Sequence, residues 1–544
     1  MQTVLVAHPA SNVARRATRL RRRIAIATFL IAITGGALRV MTVTRPLNHQ
    51  LANSWREADY VQIARNFDRE GMNILYPRID WRGDTPGFVE MELPLTPWLA
   101  AAGYRVFGYH EQLLRILSAA FSLFGMLLFY AIARDALSRV GALIAFAAFA
   151  FNPLLVRLSG AMQPEPLMIA CIVLTAYHAF RFDRKGRAKS LLLAAAATAL
   201  AGLAKAPGVY VGAILAYACL RRFGWRALLK PIVWLSAAIA ILPVFLWYDW
   251  AAHFWREYGN SLGLSNESHW ITWRLLWPPD FLRGNLITEF FLVWSPVGWV
   301  LGIVALFRAR RRRALTIASI WYTTTWVFYI AAAGTSGDSW ALYYHCIAVP
   351  PACMLIGLGA VALRGRSATS ANAQRRPVLI SPRRFAVVAV LLTLALLAVT
   401  TYFRIHSRDN AEDLRQLHDC AMEIDHAIPD DGEIVVRGGR SVDEYGSPVA
   451  FNEPMLFAWM DRRGFNYPKD QLSADELDNI ARRGGRYWIA RADELDPNDG
   501  HGDLHDRYEP IGACRCGALI AFDLDTRLSA TRKRRSAQSD HDSD

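Results

Sequence analysis

A chain of 544 residues, 53% of them hydrophobic and 18 of them tryptophan, is too apolar and too aromatic for an ordinary soluble multidomain protein. Its net charge of +14 raises the question of nucleic acid. The basic residues, however, fall in short clusters between long apolar runs, which argues against a nucleic-acid partner and fits the loops of a protein whose partner is the lipid bilayer.

The first cluster, Arg15, Arg16, Arg19, Arg21, Arg22 and Arg23, precedes an apolar run from Ile24 to Met41. That run is too long for a signal-peptide core and has no convincing cleavage site. It reads as an uncleaved first membrane span behind a basic cytoplasmic N-terminus, residues 1–23. With roughly 20 residues needed to cross a bilayer, about eleven spans follow. They cover about 24–41, 112–133, 140–158, 165–180, 189–204, 208–221, 231–249, 286–307, 314–333, 342–363 and 385–402. The 208–221 run is short, so the pair around Lys205 reads either as a hairpin or as a broken helix. The Arg/Lys-rich loops at 134–139, 181–189, 221–230, 308–313 and 364–384 all fall on the side of the N-terminus, as the positive-inside rule requires. The loops at about 42–111 and 250–285, and everything after about 403, are thereby placed outside, in a bacterial cytoplasmic membrane.

Residues 24–403 form the membrane domain. Residues 404–528 change to mixed polar and apolar composition, with strand-like runs at Gly432–Arg437 and Tyr487–Arg491 and a helix-like run at Ala411–Ile428, which predicts a small α/β soluble domain. Residues 529–544 read as a charged, disordered tail. Four of the seven cysteines lie in apolar runs; of the rest, Cys420 is positioned to pair with Cys514 or Cys516 if this region is oxidised.

Polar chemistry gathers on the outer side. In Trp55–Phe67, Tyr60, Ala64 and Phe67 recur at helical spacing while Asp59, Gln62 and Asn66 follow another face, which predicts an interfacial helix. Glu57 and Asp59 are two apart and point to nearly opposite sides. From pattern alone Asp59 is either a solvated helix charge supported by Arg56 or an inward-facing acid. Glu92 and Glu165 sit at helix starts, where capping is the simplest role. Lys205 lies among apolar residues opposite the cytoplasmic basic clusters; snorkelling and capture of an anionic head group are both open. Tyr343, Tyr344 and His345 add hydrogen-bonding groups before Pro350. The aromatic loop around Trp255, Trp270, Trp273 and Trp277 suits head-group depth, and Asn266 opens an outward-facing glycosylation sequon.

The order of these features resembles the GT-C superfamily of membrane glycosyltransferases, in the branch related to protein O-mannosyltransferases and aminoarabinose transferases. The segments that carry it are WREADYVQIARNF (55–67), PRIDWRG (77–83), MELPLTPWLAAAGYRVFG (91–108), SGAMQPEPLM (159–168), GLAKAPGVY (202–210) and YYHCIAVPP (343–351). The resemblance spans roughly residues 50–365. It implies a sugar donor carried on a polyprenyl phosphate, transfer with inversion outside the membrane to a lipid, glycan or protein acceptor, and a first-loop acid as catalyst, which is Asp59. Many members carry an Asp-Glu pair here; this chain has Arg56-Glu57, with the aspartate three residues after Arg56, so Glu57 stands as a rival. Lys205 would then meet the departing phosphate, with Arg56, Glu92, Glu165, Tyr344 and His345 around the substrate. Glu92 or Glu165 could instead help hold a divalent ion, although no ligand set has diagnostic spacing. The rival function, a transporter or flippase of lipid-linked saccharide, predicts ionisable residues at mid-span and inverted repeats. Neither is visible in the sequence.

Overall fold

The computed structural model describes residues 9–44, 54–266, 269–270, 279–364, 414–444, 446–471, 473–492 and 507–527, with short helical pieces at 391–392, 395–396 and 398–399. Helix α1 (Pro9–Val40) enters the membrane behind the arginine cluster. The first loop then folds into α2 (Ser54–Glu70) and α3 (Leu95–Phe107). The membrane bundle continues as α4 (Leu113–Ala136), α5 (Arg139–Ala150), α6 (Pro153–Leu158), α7 (Glu165–Lys185), α8 (Ala188–Ala204), α9 (Gly212–Phe223), α10 (Pro231–Tyr258), α11 (Pro279–Thr288), α12 (Pro296–Arg308), α13 (Arg312–Ala331) and α14 (Val349–Arg364). Five helices among the described residues are long and apolar enough to cross a bilayer, or up to six if the α11 and α12 segments, bent by 89°, make one span. The ten apolar runs from 24–41 to 342–363 all fall on helix; the eleventh, 385–402, lies mostly outside the described residues.

Two breaks in this bundle matter for function. The chain around Lys205 is a broken helix. α8 stops at Ala204, Lys205 is extended (φ −164°, ψ 133°), and a 3-10 turn at Ala206–Val211 leads into α9. Pro207 has no N–H to continue the ladder. Gly208 packs so closely on the preceding helix that a Cβ there would lie 2.3 Å from the Ala201 carbonyl oxygen. The second break joins a π-helical turn at Glu289–Trp294 to α12 through Ser295, which has a positive φ of 61°.

The C-terminal domain is α/β. Its five strands, β1 (Glu433–Arg437), β2 (Gly464–Tyr467), β3 (Gly485–Arg491), β4 (Tyr508–Ala513) and β5 (Leu519–Arg527), lie in the order β2-β1-β3-β5-β4. The pairs β1–β2 and β1–β3 are parallel, and β3–β5 and β4–β5 antiparallel. Side chains alternate across β1 as strand geometry dictates. Ile434 and Val436 face a helix over residues 414–427 (α15) and α16 (Met455–Met460), whereas Val435 faces α17 (Ala474–Arg482). Cys420 on α15 lies against both Cys514 and Cys516.

The interfacial helix expected over 55–67 is instead buried on nearly every side. Tyr60, Val61, Ala64 and Phe67 share one apolar core with Ile424, Ile434 and Phe457, so the first loop and the C-terminal domain are built around a common interior. The polar face of α2, which its pattern assigns to solvent, is covered by the C-terminal domain: Gln62 Nε2 donates to the Pro454 carbonyl (2.8 Å) and Arg65 Nη2 to the Ala458 carbonyl (2.6 Å). Further along, Gly464 N donates to the Asp80 carbonyl (3.0 Å) and Gly83 N to the Gly464 carbonyl (2.8 Å), joining the loop to strand β2.

Candidate active site

Helix α2 carries Asp59 at its N-terminal end, fully buried. Trp81 Nε1 donates to Oδ1 of the carboxylate (2.9 Å) and Asn452 Nδ2 to Oδ2 (3.3 Å). Burial pushes the Asp59 carboxyl up to about 8; Arg56 and the Trp81 hydrogen bond pull it down, and the acids Glu453 and Glu92 add to the rise. The solvated-charge reading of Asp59 is thereby excluded. Glu57 faces the other way and forms a buried ion pair with Arg115 of α4 (3.3 Å). The two acids occupy different environments, as their two-residue spacing requires.

One turn of chain beyond Trp81, Glu92 is also fully buried. Tyr60 Oη donates to its Oε1 (2.8 Å) and Arg56 Nη1 stands 3.9 Å from Oε2, too far for a hydrogen bond. The segment holding Glu92 is tied to the broken helix at Lys205, because Leu93 N donates to the Leu203 carbonyl (3.0 Å). Lys205 Nζ pairs with Glu165 and lies over the rings of Tyr343 (4.1 Å to centroid) and Tyr344 (5.2 Å). Asp59, Arg56, Glu92, Glu165, Lys205 and Tyr344 therefore lie in one buried polar cluster, each within electrostatic reach of another member. His345 does not join them. It hydrogen-bonds Glu289 through Nδ1 (3.0 Å) and the Ser336 carbonyl through Nε2 (3.1 Å), inside the bundle.

Three buried polar atoms in this cluster, Arg56 Nη1, Glu92 Oε2 and Glu165 Oε2, have no hydrogen-bond partner among the described residues. Buried polar groups are ordinarily paired, so these three atoms stand out within the cluster. Beside Lys205 an open apolar groove of about 370 Å³ runs along Pro207, Tyr210, Trp270, Val327 and Phe328. Glu92 faces the cation Arg56, and Glu165 faces Lys205. Among the described residues, the group of three or more side chains close enough to hold a metal ion together is Cys420, Cys514 and Cys516, and neither Glu92 nor Glu165 belongs to it. Trp273 and Trp277 lie outside the described residues. The sequon residue Asn266 is buried and accepts from Ala450 N (3.0 Å).

Compared by structure, the chain is similar to ArnT from Cupriavidus metallidurans in the apo state. The TM-score is 0.61 at 14% identity, over 94% of this chain and 98% of that one. The same enzyme bound to undecaprenyl phosphate gives a TM-score of 0.59 at 15% identity, over 91% and 97%. The Archaeoglobus fulgidus oligosaccharyltransferase in its apo form gives 0.51 at 12% identity, over 89% and 73%.

This chain has the GT-C fold.

A profile of the family described as dolichyl-phosphate-mannose-protein mannosyltransferase matches residues 85–250. By sequence, the chain has no significant match among curated proteins. Within the GT-C fold, the matched stretch holds Glu92, Glu165 and Lys205 but leaves out Asp59, Trp81 and Asn452. The sequence pattern gives no role to Trp81, Tyr60 or Asn452. Trp81 lies in the PRIDWRG segment, which is a signal in itself; Asn452, 393 residues from its partner, has none.

Proposed function

We propose that this protein is an inverting glycosyltransferase that moves a sugar from a polyprenyl-phosphate donor to an acceptor hydroxyl on the extracytoplasmic side of the membrane. The observation that carries the reading is the gathering, in one buried cluster, of a held carboxylate, Asp59, with the cations Arg56 and Lys205, the latter beside an apolar groove. In this reading Asp59 takes the proton of the acceptor hydroxyl while its oxygen attacks the anomeric carbon. The bond from that carbon to the phosphate oxygen breaks, and the electron pair leaves with the polyprenyl phosphate. The negative charge that develops there is met by Lys205 and Arg56, so the leaving group needs no proton. The groove beside Lys205 suits the isoprenoid chain, and the ArnT structure bound to undecaprenyl phosphate supports that class of carrier. In this reading the base is Asp59 and not Glu57, whose ion pair with Arg115 supports a structural role for it.

The test is transfer of radiolabelled sugar from undecaprenyl-phosphate pentose and hexose donors to a membrane lipid and protein extract, with purified protein in lipid. Wild type and Glu57→Gln are expected to transfer and Asp59→Asn is not. Full transfer by Asp59→Asn overturns the base. Saccharide movement across liposomes with no transfer from any donor would establish the transporter instead.

A further inference from the structure

The C-terminal domain reaches Asp59 at one point, and the way the chain is held there is the reason to read it as functional. On α2, Asp59, Gln62 and Arg65 follow one another at three-residue steps, and each bonds the C-terminal domain in the same order, to Asn452, Pro454 and Ala458. Gln62 is fixed from both ends, since its Oε1 accepts from Asp80 N (3.0 Å) while its Nε2 donates to Pro454. The strip leading to Asn452 is pinned on its other side as well. Ala450 N donates to Asn266 Oδ1 (3.0 Å), and Gly439 N to the Phe451 carbonyl (2.8 Å). Asn452 is thus clamped between two anchored residues, with its amide on the carboxylate.

We propose that Asn452 is a positioning residue for the Asp59 carboxylate, so that the C-terminal domain is part of the reaction centre and not a cover over it. The inference rests on the reading of Asp59 as the base. With Trp81 on Oδ1 and Asn452 on Oδ2, each carboxylate oxygen is held by a donor from a different part of the chain and keeps further lone pairs to accept a proton. The charged groups that face Asp59 come from three parts of the chain: Arg56 from α2, Glu92 from the segment before α3, and Glu453 from the C-terminal domain. Against the two acids, each donor to the carboxylate favours its ionised form. Asn452 therefore sets both where the base points and when it loses its proton.

The test is an infrared titration of protein in lipid, in which the Asp59 carboxyl band is the difference between wild type and Asp59→Asn. In Asn452→Ala its midpoint is expected to move up by about one pH unit, a tenfold rise in proton affinity. Transfer from undecaprenyl-phosphate donors is expected to fall about tenfold in kcat with the donor KM little changed. Asn452→Asp keeps the shape and brings a third acid, so its midpoint moves up further; it stands in should the alanine variant fail to fold. An unchanged midpoint in either folded variant overturns the inference, even if the rate falls, because a loosened domain lowers the rate without retuning the acid. Full activity of Asp59→Asn would instead remove the underlying reading of the base.

Discussion

Lys205 and Glu165 form a buried ion pair whose open side is lined by the rings of Tyr343 and Tyr344. Burying two charges costs more than an exposed pair returns, and removing one partner strands the other. Lys205→Ala is therefore expected to lower stability by about 3–5 kcal/mol and to abolish binding of undecaprenyl phosphate, measured by calorimetry on protein in nanodiscs. Glu165→Ala leaves the cation available, so it is expected to lose stability by a similar amount and still bind the lipid phosphate. Equal loss of lipid binding in both variants would contradict this division of labour.

Asp59 carries a pH dependence with a definite sign. Burial raises its carboxyl to about 8, so the free enzyme holds the proton at lower pH and has an ionised base only above that value. The kcat/KM of transfer is expected to rise with pH and level off above about 8, and Asp59→Asn to lose about 10²–10⁴-fold of kcat at the plateau. A profile that is flat between pH 6 and pH 9 would remove Asp59 from the proton-transfer step. For stability the sign is opposite to that of a salt-bridged acid. The folded state binds the proton more tightly than the unfolded chain, so this group's contribution weakens as pH rises from the ordinary aspartate range towards 8.

What the sequence made legible follows from the range of each signal. Helix α2 could be read from the recurrence of Tyr60, Ala64 and Phe67, and Lys205 from the cost of a lone cation among apolar residues; both are local. The burial of the polar face of α2 was not legible, because its cover, Asn452 to Ala458, lies nearly 400 residues away and no local pattern reports it. The α/β character of the C-terminal region was readable from β1, β3 and α15, while the parallel pairing of β1 with β2 and β3 depends on contacts between distant segments. Glu289 is a different case. An acid inside the apolar run 286–307 is a signal in its own right, and it marks the partner of His345.

Glu57 and Arg115 offer a control for the choice between the two acids of α2. Both side chains are buried, so Glu57→Ala leaves a guanidinium without its carboxylate and is expected to cost about 3–5 kcal/mol. Glu57→Gln keeps the shape and is expected to lose less. Measured per folded molecule, both variants are expected to retain transfer, with thermal unfolding in detergent reporting the loss. Loss of kcat in Glu57→Gln with unchanged thermal stability would restore Glu57 as the base.

Glu289, on the π-helical turn, accepts from Tyr322 Oη (2.7 Å) and Tyr329 Oη (2.8 Å) and is hydrogen-bonded to His345 Nδ1 (3.0 Å). His345 Nε2 faces the Ser336 carbonyl (3.1 Å), so the ring is held on both sides. His345 in turn belongs to the 3-10 segment Ser339–Ala348 that presents Tyr343 and Tyr344 to Lys205. Glu289→Ala leaves three donors unpaired in the bundle interior, at about 1–3 kcal/mol each, and is expected to lower the thermal midpoint sharply. Glu289→Gln supplies one acceptor oxygen and is expected to fall between it and wild type. If this network fixes the two tyrosines, both variants also weaken donor binding, raising the donor KM more than they lower kcat, whereas a fold-only role would leave the KM of the surviving folded protein unchanged.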